Sequence, residues 1–165
     1  MSYINYKKLS YILSEEPGVS GKIAFEFLNS IVDSNDVLKF TIFAHSNHNK
    51  SIESLIEMHD NIVILPNKTN ERELVIKGLK INRKLLDVLC SLGEYPNFLK
   101  ISKINSNLEL KQIDYYWSIE YCDESFTFIY MDKYIDCSKI TLIEQEFENK
   151  GISYERKREK SIKVK

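Results

Sequence analysis

All three histidines of this 165-residue chain fall within fifteen positions. His45 and His48 stand in Ala-His-Ser-Asn-His-Asn, His59 precedes Asp60, and Glu53 and Glu57 lie between them. Neutral imidazole and carboxylate are the ordinary ligands of zinc and other divalent ions, and the same groups serve as general acids and bases. A small hydrolase or nuclease would use them in this way. The spacing follows no metal-site signature and no cysteine lies among them. The simpler reading is a polar loop followed by an amphipathic helix, so neither a metal nor any other cofactor is expected.

Two further patterns fail as chemistry. Gly18-Val-Ser-Gly-Lys22 has the outline of a phosphate-binding loop, but the first required glycine is Glu16 and the hydroxyl expected after the lysine is Ile23. A Pro-Gly turn leading into a helix explains it. Cys90, Cys122 and Cys137 are scattered, with no x-x pairing and no basic neighbour to favour the thiolate, so they read as reduced thiols in the core. The basic stretch Lys77, Lys80, Arg83, Lys84 is flanked by Glu71, Glu73 and Asp87, which suits a solvated face better than a nucleic-acid site.

Charge segregation is the strongest signal. Residues 109–148 contain nine of nineteen aromatic side chains and ten carboxylates against three lysines, a local net charge of -7 in a chain of net charge -1. Residues 149–165 then carry seven bases and two acids. Carboxylates around aromatic anchors suit a basic protein partner, since the charges steer encounter while tyrosine and tryptophan supply buried contact. Glu120, Asp123, Glu124, Asp132, Glu144 and Glu148 are the expected steering charges, with Tyr116 as an outward aromatic contact. The competing reading is internal neutralisation, with the basic tail forming a strand beside the acidic hairpin. Alternatively, Arg156, Lys157 and Arg158 protect a sheet edge from aggregation.

The elements that would position these residues follow from periodicity. Ile4, Leu9, Ile12 and Leu13 predict a first short helix before Pro17-Gly18, and Ser20 predicts a cap on a second helix, 21–32, with Ile23, Phe27, Leu28 and Ile31 inward. Strands are expected at 37–44 and 61–66, with a helix over 51–60 between them. The latter strand is expected to form a hairpin with Leu74-Val-Ile, although Asn70-x-x-Glu73 also fits a capping box. A helix over 83–92 ends at Gly93, and a strand over 98–104 follows.

The clearest alternation places Ile113, Tyr115, Trp117, Ile119 and Tyr121 on one face. With Asp123-Glu124 as the turn, Tyr121 faces Phe126, Ile119 faces Phe128 and Trp117 faces Tyr130. By this parity most of the aromatic set is core. A last helix should present Ile140, Ile143 and Phe147 inward and Glu144 and Glu148 outward, before a final strand over 152–164.

Together these predict one α+β domain over 1–165, with about five helices packed on a mainly antiparallel sheet. The N-terminal part, about 1–35, is expected to be helical, and the part from about 98 to 165 sheet-rich. No apolar run is long enough for a membrane span, and the polar N-terminus lacks a secretory pattern, so a cytoplasmic location is expected. Ile, Lys and Asn are abundant while Ala and Arg are scarce, a usage that an AT-rich gene would produce and that hints at a microbial or mobile-element origin. The scarcity of Arg also makes nucleic acid an unfavoured partner.

The expected function is a small protein-binding module that recognises and inhibits or regulates a basic protein, an immunity-type inhibitor of a toxin being one example. A hydrolase using His45, His48 and His59, or an oligomerising structural subunit, are the alternatives.

Overall fold

The computed structural model describes residues 2–4, 7–12, 19–43, 49–66, 71–92, 98–104, 115–122, 125–130, 137–149, 154–158 and 162–164. Its elements in chain order are β1 (Ser2–Ile4), β2 (Lys7–Ile12), α1 (Val19–Ile31), β3 (Val37–Phe43), α2 (Asn49–Glu57), β4 (Ile62–Ile64) and β5 (Glu71–Lys77), followed by α3 (Arg83–Leu92), β6 (Phe98–Ile104), β7 (Tyr115–Cys122), β8 (Ser125–Tyr130), α4 (Cys137–Asn149), β9 (Tyr154–Arg158) and β10 (Ile162–Val164). The fold is α+β, with every described strand pair antiparallel. Four helices occur among the described residues, one fewer than expected.

Eight strands form one sheet in the order β4-β5-β3-β6-β7-β8-β2-β9, while β1 and β10 pair separately. One parity of the central strands is apolar and buried: Leu38, Phe40 and Ile42 of β3, Leu99 and Ile101 of β6, Trp117, Ile119 and Tyr121 of β7, and Phe126 and Phe128 of β8. The helices cover this face, with Phe27 of α1 at the junction. Its ring lies 5.1 Å from Phe126, 4.8 Å from Phe128 and 5.7 Å from Phe147 of α4. The opposite parity is polar, where Lys39 pairs with Glu73 at 3.2 Å and Lys100 with Glu120 at 3.6 Å.

The hairpin register is the one the alternation requires, with Tyr121 opposite Phe126, Ile119 opposite Phe128 and Trp117 opposite Tyr130. β4 and β5 likewise form the expected hairpin rather than a capped helix, and α3 spans the expected residues.

Three readings are corrected. The first helix is replaced by the strands β1 and β2, so the first 35 residues are not a helical unit. β2 is inserted between β8 and β9, and pairing with those distant strands outweighs the weak helical spacing of four apolar residues. The final strand is broken into β9 and β10, which join different sheets. Ser20 does not cap α1, because the helix already begins at Val19. The Ser20 hydroxyl instead donates to the carbonyl of Cys122 at the end of β7, tying α1 to the sheet.

Candidate functional site

The histidine cluster does not assemble as a metal or acid-base site among the described residues. α2 exposes Glu53 and Glu57, and Asp60 is exposed beyond it, whereas His59 turns inward and is buried. Its Nδ1 lies 2.8 Å from the Leu55 carbonyl and its Nε2 accepts the Lys80 N–H at 3.0 Å. A carbonyl can only accept, so Nδ1 carries the proton and Nε2 is the acceptor. Both ring nitrogens are thus committed to backbone groups, which withdraws His59 from ligation or proton transfer and makes it a tie between α2 and the turn after β5. His45 and His48 lie outside the described residues. No group of three or more potential ligands occurs among the described residues.

Gly21 has a packing role rather than a phosphate-binding one. A Cβ built there would stand 2.5 Å from the backbone N and Cα of Cys90, so the glycine lets α1 and α3 cross in near contact. Lys22 beside it is exposed. Cys90 and Cys122 are half-buried and stand outside any disulfide.

The acidic, aromatic region divides. Trp117, Tyr121, Phe126, Phe128 and Phe147 are core residues, and the Tyr121 hydroxyl donates to the Leu89 carbonyl at 2.9 Å. None of these rings is available to a partner. Glu120 stands opposite Lys100 in the β6–β7 register and pairs with it on the open sheet face. Tyr116 sits where that register shifts, between Lys103 opposite Trp117 and Ile104 opposite Tyr115. Its side chain, together with Asp123, Glu124 and Asp132, lies outside the described residues.

The basic tail does not pair with the acidic hairpin. β9 forms the sheet edge, and β2, with its own Lys7 and Lys8, separates it from β8. The register sets Lys8 opposite Lys157 and Lys7 opposite Arg158, so bases meet bases there. The basic tail therefore does not cancel the hairpin's charge by cross-strand pairing; Glu120 is met by Lys100 of β6 instead.

The remaining acids are on α4. Ile140, Ile143 and Phe147 are buried, and the opposite stripe, Leu142, Gln145, Glu146 and Asn149, has the i, i+3, i+4, i+7 spacing of one helix face. All four are exposed, Leu142 by 62%. Glu148 is exposed and Glu144 half-buried, one turn apart on the flank of this stripe.

Glu146 and Glu148 also fall in the last turn, where no basic residue is present. Unsatisfied carbonyls already concentrate negative potential there, and each added carboxylate costs about 0.3–1 kcal/mol. Sequence reading named Glu144 and Glu148 but missed Leu142 and Glu146. The signal was their helical spacing opposite Ile143 and Phe147.

No protein-family model, curated protein or solved structure matches the chain. No helix among the described residues is long and apolar enough to cross a membrane.

Proposed function

We propose that this chain is a protein-binding module that docks a basic protein on the outward face of α4 and inhibits or regulates it, in the manner of an immunity-type inhibitor of a toxin. The observation that carries the reading is an exposed apolar residue, Leu142, with Glu146 one turn beyond it on the same outward stripe, at a helix end that disfavours negative charge, and Glu148 on the flank of that stripe. A leucine supplies contact area while the acids attract a cationic surface and orient it. The rings of Trp117, Tyr121, Phe126, Phe128 and Phe147, being core, are not part of the contact.

Site-specific photocrosslinking in the native cell tests this. A photoreactive residue at Gln145 should capture one basic protein that the same residue at exposed Asn82 does not. The isolated pair should then associate more slowly as salt is raised. Equal capture from both positions, or a salt-independent rate with the captured protein, would remove the proposal.

A further inference from the structure

The two edges of the eight-stranded sheet are chemically unlike. β9 at one end reads Tyr154-Glu-Arg-Lys-Arg158, and charged residues are the usual device that keeps an open strand from pairing with another chain. β4 at the other end reads Ile62-Val-Ile64 and carries no charge. Val63 and Ile64 are 46% and 56% exposed. Ile56 and Met58, which precede the strand, and Ile62 within it are only partly buried against the core, so the apolar character continues along this margin.

The ladder shows which backbone groups remain open. Leu65 N–H donates to the Glu73 carbonyl at 3.0 Å, and Lys77 N–H donates to the Asn61 carbonyl at 3.2 Å. Antiparallel partners alternate between hydrogen-bonded and non-hydrogen-bonded pairs, so in this register Asn61, Val63 and Leu65 direct their groups to β5. The N–H and C=O of Ile62 and Ile64 therefore point away from the sheet. Pro66 occupies the next outward position and has no N–H, which ends the row. The open edge is short, apolar and symmetric about Val63.

We propose that β4 pairs antiparallel with β4 of a second copy of this chain, about a two-fold axis at Val63, joining the two sheets into one. Ile62 of each copy then exchanges backbone hydrogen bonds with Ile64 of the other, and the two Val63 residues meet at a non-hydrogen-bonded position, where Cβ atoms approach most closely. The strand's own symmetry favours a second copy over an unrelated strand. The outward groups of Ile62 and Ile64 satisfy one another under a two-fold axis, as a self-complementary interface requires. Pro66 of each copy falls opposite Asp60 of the other, so the ladder stops at the same place on both sides and no like charges meet.

Sedimentation equilibrium of the full chain, up to about 100 μM, tests the proposal. The wild type should have the mass of two chains. Ile64→Pro removes an outward N–H while leaving the bonds to β5, at an edge position where proline is tolerated. Val63→Lys brings two like charges together at the axis without disturbing a buried side chain. Both variants should be monomers with wild-type circular dichroism, and if Ile64→Pro fails to fold, Val63→Lys decides. Phe43→Ser, at an exposed apolar residue away from β4, should remain a dimer. A monomeric wild type, or a dimer that survives Val63→Lys, would overturn the proposal.

Discussion

His59 accepts the backbone N–H of Lys80 through Nε2 at 3.0 Å, and this bond joins the end of α2 to the turn that follows β5. The turn needs it: Gly78 there has φ 71°, a left-handed conformation, and the chain must reverse within a few residues to start α3. Replacing His59 with alanine removes two hydrogen bonds and leaves the Lys80 N–H and the buried Leu55 carbonyl dependent on water. The expected loss is about 2–4 kcal/mol, read as a lower urea midpoint with an unchanged slope. Added zinc should not raise the thermal midpoint of the wild type through this residue, and His59→Ala should leave any zinc response unaltered.

Gly21→Ala sets two effects against each other. Helix propensity favours alanine by about 1 kcal/mol. The new Cβ, however, would lie 2.5 Å from backbone atoms of Cys90, which cannot rotate away as a side chain would. Separating two packed helices costs roughly 1–3 kcal/mol or more, so the net change should be destabilising. Thermal denaturation gives the sign directly, and a stabilised variant would show that α1 and α3 do not cross this closely.

Tyr121→Phe isolates the phenol from the ring. The ring packs against Phe126 at 6.2 Å and should stay in place, while the Leu89 carbonyl loses its donor. A loss of about 1–2 kcal/mol is expected on equilibrium unfolding. Partner association should be unchanged, because the ring is entirely buried. A slower on-rate in this variant would return the aromatic set to the interface.

Reversing charge on α4 should act on rate more than on fold. Glu146→Lys places a cation in the last helical turn, where the helix dipole favours it by about 0.3–1 kcal/mol, so stability should rise slightly. Association with a basic partner should slow, and its salt dependence should weaken. Glu144→Lys with Glu148→Lys should act in the same direction on rate. Stopped-flow measurement at two ionic strengths, beside a thermal melt, separates the two effects.

Sequence pattern was most informative where local alternation and tertiary demand agree. Trp117, Ile119 and Tyr121 face Phe126 and Phe128 on a hairpin closed by two residues, so parity alone fixes register and burial together. β2 was illegible for the opposite reason. Lys7-Lys-Leu-Ser-Tyr-Ile12 has mixed alternation, and what makes it a strand is pairing with β8 and β9, more than a hundred residues away. Tyr116 shows a finer limit, since the register shift beside it breaks the parity from which its outward position was inferred. On α4 the core stripe was read correctly. Leu142 was passed over because an apolar residue draws notice only once its exposure is known.

The position of β2 also dictates an order of assembly. β2 leaves the ribosome well before β8 but forms its bonds only after it, and β9 can join only once β2 is in place. Such long loop closures make the sheet a high-contact-order structure, which folds slowly because closure entropy precedes any gain from pairing. Until that closure β8 is itself an open edge, its Phe126 and Phe128 positions unpaired with β2. The nascent chain therefore passes through a stage when apolar β8 is paired on one side only, and dilution or a chaperone should raise its refolding yield more than any change to the finished surface.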